Sequence, residues 1–254
     1  MWAIDIGNTQ TVAGYIQDGK VIYRSRISSK RFFEIAELNK WINKLKKIKN
    51  TNIVGISNVV PKLEPIFKKT IKHNFDLNPI FVEPIWPNAF KMKILILKPQ
   101  TLGADRWANS IAAKILYGFP CIIVDFGTAT TFDVIDRKGD YYGGVILPGI
   151  NISLSALHTY TAKLPLVSFK KMDYTIAKDT VSAIRSGIFW GMIGQLREIL
   201  LRVRKEIGVV APAIATGGWS YLFHEMNIFH KINQDLTLQG IEIFTQTICA
   251  KLKK

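Results

Sequence analysis

Apolar and polar positions alternate from the first residues onward: Trp2–Ile6 reads as a strand, Thr11–Ile16 as a second, and Val21–Ile27 as a third. A Gly-Asn-Thr turn separates the first two and Asp18-Gly19 the next pair, so the chain opens as a hairpin meander. Helical spacing follows over Phe32–Ile48, where Ile35, Leu38, Ile42 and Leu45 form one apolar stripe. A short strand at Ile53–Ser57, a helix beginning near Pro61, a strand at Pro79–Val82 and a helix at Ala104–Tyr117 come next.

The opening pattern then restarts. A strand at Cys121–Asp125, a turn at Phe126-Gly127-Thr128, a strand at Thr130–Ile135, a turn at Lys138-Gly139-Asp140 and a strand at Tyr141–Ile146 repeat the meander. AIDIGNTQTVAGYIQDGKVIYR and IVDFGTATTFDVIDRKGDYYGG share one plan of strand, Asp, Gly, Thr, strand, charged-Gly turn, strand. Helices at Gly149–Tyr160 and Asp179–Val203, a strand at Ala211–Thr216 and a helix at Leu238–Leu252 fill the second half. The length of 254 residues suits two domains of about 120 residues each. The repeat puts them at 1–117 and 118–254.

Composition changes this picture little. Hydrophobic residues are 48% and charged ones 21% of the chain, an ordinary globular balance rather than a disordered one. MWAIDIGNTQ has no basic segment leading into an apolar stretch, which argues against a secretory signal. The longest apolar runs, Cys121–Val124 and Val209–Ala215, fall far short of the roughly 20 residues that span a bilayer. Cys121 and Cys249 suggest neither a disulfide framework nor a metal site, and Cys121 reads as a small core hydrophobe in a reducing, cytoplasmic protein. His73, His158, His224 and His230 lack paired metal spacing, and the six Trp, Trp107 and Trp190 among them, read as core or interface residues.

The net charge of +15 is the unusual global number. It admits nucleic acid, an anionic membrane or small anionic substrates as partners. Much of it lies in Lys40–Lys49, Lys68–Lys72 and Lys251–Lys254, and in the first run most lysines fall opposite the apolar stripe. A solvated helix face accounts for that run, and no zinc finger, RNP aromatic pair or GXXG clamp points to nucleic acid.

Candidate chemistry sits at the ends of the two repeated strands. A strand that ends in Asp-x-Gly before a tight hairpin aims a carboxylate, backbone N–H groups and a hydroxyl at one place, which makes a cradle for phosphate and metal. In the first copy Asp5, Gly7, Asn8, Thr9 and Thr11 can contact nucleotide phosphates and hold Mg²⁺ through water; a plain hairpin with an incidental Asp is the alternative. The second copy offers Asp125, Gly127 and Thr128, and two facing copies would grip a triphosphate. Such a doubled device resembles the actin-like ATPases, with Ala215-Thr216-Gly217-Gly218 resembling their adenosine-side loop. Between the copies, Gly103-Ala104-Asp105-Arg106 opens a helix. Asp105 there can serve as general base toward a hydroxyl and Arg106 as anchor for an anionic substrate, or the two can be a helix cap and a surface residue.

DIGNT, GADR, VDFGTATTFD, GGVILPG and DLTLQGI resemble, in that order, the motifs of type III pantothenate kinases, from the first strand to the last helix. The resemblance implies an α/β fold of two similar ribonuclease-H-like (actin-like ATPase) domains, each a mixed sheet flanked by helices. It implies a cytoplasmic homodimer that phosphorylates pantothenate with ATP, Mg²⁺ and a monovalent cation, K⁺ or NH₄⁺, in the first step of coenzyme A biosynthesis. By it, Asp5, Ile6, Gly7, Asn8, Thr9, Gln10, Thr11, Val12 and Thr128 would bind ATP, and Asp125 would ligate the monovalent cation. Gly103, Ala104, Asp105 and Arg106 would bind pantothenate, with Asp105 taking the proton from its hydroxyl. Thr180, in AKDTVSAIRSG, stands where the family places a substrate-contacting Thr at a helix start, and an N-cap is its structural alternative. Ile96 departs from the aromatic that the family often carries seven residues before the Gly of GADR. Two other readings stay open: a regulatory ATP-binding protein of this fold acting on nucleic acid, and a kinase of this fold with another acceptor.

Overall fold

The computed structural model describes residues 1–84 and 87–252, so Ile85, Trp86, Lys253 and Lys254 lie outside the described residues. In chain order the elements are β1 (Trp2–Ile6), β2 (Gln10–Gln17), β3 (Lys20–Ser28), α1 (Ile35–Ile48), β4 (Val54–Asn58), α2 (Glu64–Phe75), β5 (Ile80–Phe81) and α3 (Ala104–Tyr117). Then come β6 (Cys121–Phe126), β7 (Ala129–Ile135), β8 (Tyr141–Pro148), α4 (Ile150–Thr159), α5 (Thr180–Glu206), β9 (Ala213–Gly217), β10 (Lys231–Ile232) and α6 (Leu236–Leu252). They form two compact units, one of Met1–Gly118, Arg137–Gly143 and Asp235–Lys254, the other of Phe119–Asp136 and Gly144–Gln234.

The first sheet runs β3-β2-β1-β4-β5 and the second β8-β7-β6-β9-β10, so the repeat read from three strands extends to all five. In each, the strand that carries the Asp is central, antiparallel to its hairpin partner and parallel to the strand on its other side. A strand flanked on both edges and covered on both faces must be apolar throughout. Trp2, Ala3, Ile4 and Ile6 of β1 and Cys121–Val124 of β6 are indeed buried. Burial pushes the Cys121 thiol up to about 12, in keeping with a packing role.

Several boundaries differ from the sequence reading. The helix expected from Phe32 starts at Ile35, because Ser29–Phe33 forms a 3-10 turn that tucks Phe32 into the core and leaves Glu34 extended. Ile35, at the first turn of α1, is therefore exposed, and the stripe that packs is Leu38, Trp41, Ile42 and Leu45. Lys40, Lys44 and Lys47 lie on the solvent side. Pro212 has no N–H to give to a ladder, so β9 begins at Ala213, and β10 is too short for alternation to reveal it. Of the tryptophans, Trp2, Trp41 and Trp107 are buried, while Trp190 and Trp219 are half-buried.

α6 packs within the first unit, across α3 and over β1 and β4. Gly240 makes the crossing possible: a Cβ there would overlap the backbone carbonyl of Ala108. Thr237 Oγ1 donates to Asn109 Oδ1 at 2.8 Å, and Arg24 pairs with Asp235 just before the helix. The Gly of DLTLQGI is thus a helix-packing residue.

Gly240→Val should lower unfolding free energy by about 3 kcal/mol through overpacking at this crossing. Gly187→Ala in α5, where a Cβ meets nothing within 4 Å, should raise it by about 0.5–1 kcal/mol. Urea denaturation of both variants checks the contrast.

Candidate functional site

The first strand-end loop is built by Gly7-Asn8-Thr9 between β1 and β2. The Gly7 N–H donates to Gln10 O at 3.1 Å, which closes the turn, and a Cβ on Gly7 would lie 2.9 Å from that oxygen. Asn8, Thr9 and Gln10 are exposed, Asp5, Gly7 and Val12 half-buried, and Ile6 and Thr11 buried. Asp5 stands in register with Val12 on β2 and with Ser57 on β4. Ser29 reaches the loop from the end of β3: its hydroxyl donates to Gly7 O at 2.6 Å and meets Thr11 Oγ1 at 2.9 Å.

The second unit builds its own version. Gly127 N–H donates to Ala129 O at 3.1 Å, Thr128 is exposed, and Asp125 is half-buried at the end of β6. Two glycines crowd this loop. A Cβ on Gly149, at the head of α4, would overlap the Thr128 carbonyl, and one on Gly217 would overlap the Asp125 carboxylate and the Phe126 backbone. Gly217 also has φ +84, a conformation that favours glycine. Thr216 lies in register with Asp125, as Ser57 does with Asp5, and both hydroxyls are buried with no hydrogen-bond partner in the protein.

The Gly103–Arg106 turn belongs to the first unit with the Asp5 loop. Val59 N–H donates to Ile6 O at 3.1 Å, and a Cβ on Gly103 would lie 3.7 Å from Val59 Cγ1, so the head of α3 adjoins the end of β4. A cavity of about 300 Å³ opens there, walled by Asn58, Val59, Phe81, Val82, Leu102 and Gly103. Its volume is at the lower end for a small-molecule site.

The arrangement can therefore bring an anion-binding loop, a carboxylate and a small cavity to one end of the first sheet. A family model for type III pantothenate kinase matches residues 1–202. A type III pantothenate kinase from Paramagnetospirillum magneticum is 39% identical over 248 residues, covering 94% of this chain and 94% of that one. Another from Koribacter versatilis is 38% identical over 256 residues, covering 94% of this chain and 93% of that one. The chain belongs to the type III pantothenate kinase family.

Likeness of fold reaches beyond the pantothenate kinases. A Baf-family structure from Campylobacter jejuni has a TM-score of 0.60 at 20% identity and covers 100% of both chains. MreB5 of Spiroplasma citri bound to AMPPNP has a TM-score of 0.54 at 12% identity, covering 99% of this chain and 97% of that one. At such identities these comparisons speak for the actin-like ATPase fold alone.

Within this pantothenate kinase chain, Thr180 is exposed as the first residue of α5, and the cap is its neighbour: Asp179 accepts from Ser182 N–H at 2.9 Å. The Thr180 side chain is thereby released from capping. Ile96 is half-buried beside Gly143 at the start of β8. Asp105 heads α3, where its Oδ1 accepts from Arg106 N–H at 2.7 Å, and a Cβ on Gly103 would lie 2.6 Å from that oxygen. Burial raises the Asp105 carboxyl above the ordinary carboxylate range, and the Arg106 N–H and guanidinium only partly offset this.

Sequence reading did not single out Ser29, Gly149 as a loop contact, or the buried Ser57 hydroxyl, and it took Thr216 only as part of the adenosine-side loop. The available signal was positional: Ser29 and Gly149 each follow the third strand of a repeat, and Ser57 and Thr216 lie on the strands that the repeat adds beyond the meander.

A carboxyl whose folded pKa is raised favours the fold below its unfolded pKa, and this contribution is lost as pH climbs through the folded value. Asp105→Asn should accordingly be more stable than the native chain at pH 7. The advantage should shrink as pH falls from the raised pKa toward about 3.9, as read by thermal melts across that window.

Proposed function

We propose that this chain transfers the γ-phosphoryl group of ATP to the primary hydroxyl of pantothenate, yielding 4'-phosphopantothenate in the first step of coenzyme A biosynthesis. The observation that carries the reading is the placement of Asp105 at the head of α3, against the end of β4 and within the same unit as the Asp5 loop. Membership of the pantothenate kinase family supplies the acceptor.

Asp5–Val12 and Thr128 bind ATP, with the exposed Asn8, Thr9, Gln10 and Thr128 facing solvent where phosphates can reach them. Gly103–Arg106 and Thr180 bind pantothenate, whose carboxylate suits the forked guanidinium of Arg106. Asp105 accepts the hydroxyl proton as the oxygen attacks phosphorus in line. A carboxylate with a raised pKa holds that proton better than an ordinary one. Positioning and electrostatics then supply most of the rate.

Among the described residues no three His, Cys, Asp or Glu converge. A divalent ion near Asp5 would thus draw most ligands from water and phosphate, which suits Mg²⁺. Asp125, whose carboxylate would collide with any side chain at Gly217, would ligate the monovalent cation, K⁺ or NH₄⁺, that the family resemblance implies. When bound, both ions would offset phosphate charge. Exposed Leu95, Leu97 and Tyr142 in the first unit are apolar surface that supports a homodimer. Two free thiols support a cytoplasmic setting. No described helix is long and apolar enough to cross a membrane.

A coupled ADP-release assay should show turnover with pantothenate when K⁺ or NH₄⁺ is supplied, and absence of turnover under both cations overturns the reading. Asp105→Asn should lower kcat by about 10²–10⁴-fold while calorimetric ATP affinity stays unchanged.

A further inference from the structure

The hydrogens of the Ser29 cluster can be assigned from chemistry alone. A carbonyl only accepts, so the single hydroxyl hydrogen of Ser29 is committed to Gly7 O at 2.6 Å. The 2.9 Å contact with Thr11 must then run the other way, with Thr11 Oγ1 donating to Ser29 Oγ. Ser29 N–H donates in addition to Thr9 O at 3.1 Å. One buried residue thus holds the loop at Gly7, Thr9 and Thr11, which are three of its five residues between Gly7 and Thr11.

We infer that Ser29 is the positioning residue of the first phosphate loop: the relay Thr11 to Ser29 to Gly7 sets the loop backbone in the shape that receives the ATP phosphates. Thr11 has no hydrogen left for phosphate, and it is buried, so its hydroxyl serves the relay. Phosphate contacts fall to the exposed Asn8, Thr9 and Gln10. In the second unit the residue at the same place after the third strand is Gly149, which meets the Thr128 carbonyl with backbone. The first loop is held by side-chain hydrogen bonds that an exchange of one atom can break.

The inference rests on the proposed kinase reading only for ATP as ligand, so its test reads MgATP affinity directly, without the acceptor. Ser29→Ala strips the buried Thr11 hydroxyl of its acceptor and the half-buried Gly7 carbonyl of the Ser29 donor, and should raise the calorimetric Kd for MgATP about tenfold. Thr11→Val, which keeps the shape and removes the donor, should raise it similarly. The double variant should bind no worse than the weaker single one, since both break one relay. A Kd within twofold of native for Ser29→Ala, with or without a lowered melting temperature, overturns the inference. So do defects that multiply in the double variant. If Ser29→Ala does not fold, Ser29→Cys, which retains a weak donor, should show an intermediate Kd, and a native value there overturns the inference equally. A native chain that binds MgATP yet never turns over pantothenate defeats the kinase reading and leaves this comparison standing.

Discussion

The fold turns on one constraint, which is that the strand carrying the carboxylate is also the most enclosed strand of its sheet. β1 and β6 are each bordered by a hairpin partner on one edge and a parallel neighbour on the other. Interior residues Trp2, Ile4, Ile122 and Val124 have no access to water. Charge is tolerable only where the strand runs out, and Asp5 and Asp125 occupy that place, half-buried one residue before the last of each strand. The turn beyond must be tight, because the returning strand has to pair at once. Gly7 and Gly127 each close it with an N–H bond at 3.1 Å, Gly7 to Gln10 O and Gly127 to Ala129 O. Everything that could touch a phosphate is therefore confined to a few exposed residues beyond a dry strand.

The second determinant is distance, and two glycines set it. α6 lies over β4, where a Cβ on Gly55 would overlap the Thr245 hydroxyl, and under α3, where Gly240 meets the Ala108 carbonyl. Removing the side chain at each interface brings three layers together closely. The head of α3, four residues from Ala108, consequently sits at Val59 beside the end of β4. Asp105 owes its place to a helix more than a hundred residues away in the chain. The Thr237–Asn109 hydrogen bond and the Arg24–Asp235 pair keep that helix in register.

Local chemistry explains what could be read beforehand. Strands with strict alternation, the long helices and the doubled Asp-Gly hairpin declare themselves because each depends on neighbours in sequence, and α3 was bounded to the residue by Gly103 and Gly118. Ser29 did not declare itself, since a serine after a strand looks like any turn residue until Gly7 and Thr11 are folded against it. Gly149 read as a helix start and Gly217 as part of the adenosine-side loop, and only the atoms they approach reveal a steric need. Similarly, Thr180 was the capping candidate by sequence, and geometry gave the cap to its neighbour Asp179. The Gly of DLTLQGI carried no hint that its partner would be α3, because a helix's own periodicity says which face is apolar but not what covers it.

The repeat is thus kept in architecture and broken in detail, and the break has a physical direction. Both halves place a hydroxyl, Ser57 or Thr216, beside the carboxylate on the parallel strand. Around the second loop, Gly149 and Gly217 bring backbone close to the Thr128 carbonyl and the Asp125 carboxylate. Around the first, Ser29 and Thr11 reach the loop with hydroxyls in one donor order, Thr11 to Ser29 to Gly7. A loop packed against backbone is disturbed by added atoms, such as a Cβ at Gly149 or Gly217, whereas a loop held by this relay is disturbed by the loss of one oxygen. The same five-strand plan thus carries one loop crowded by glycine backbone and another tied by two hydroxyls.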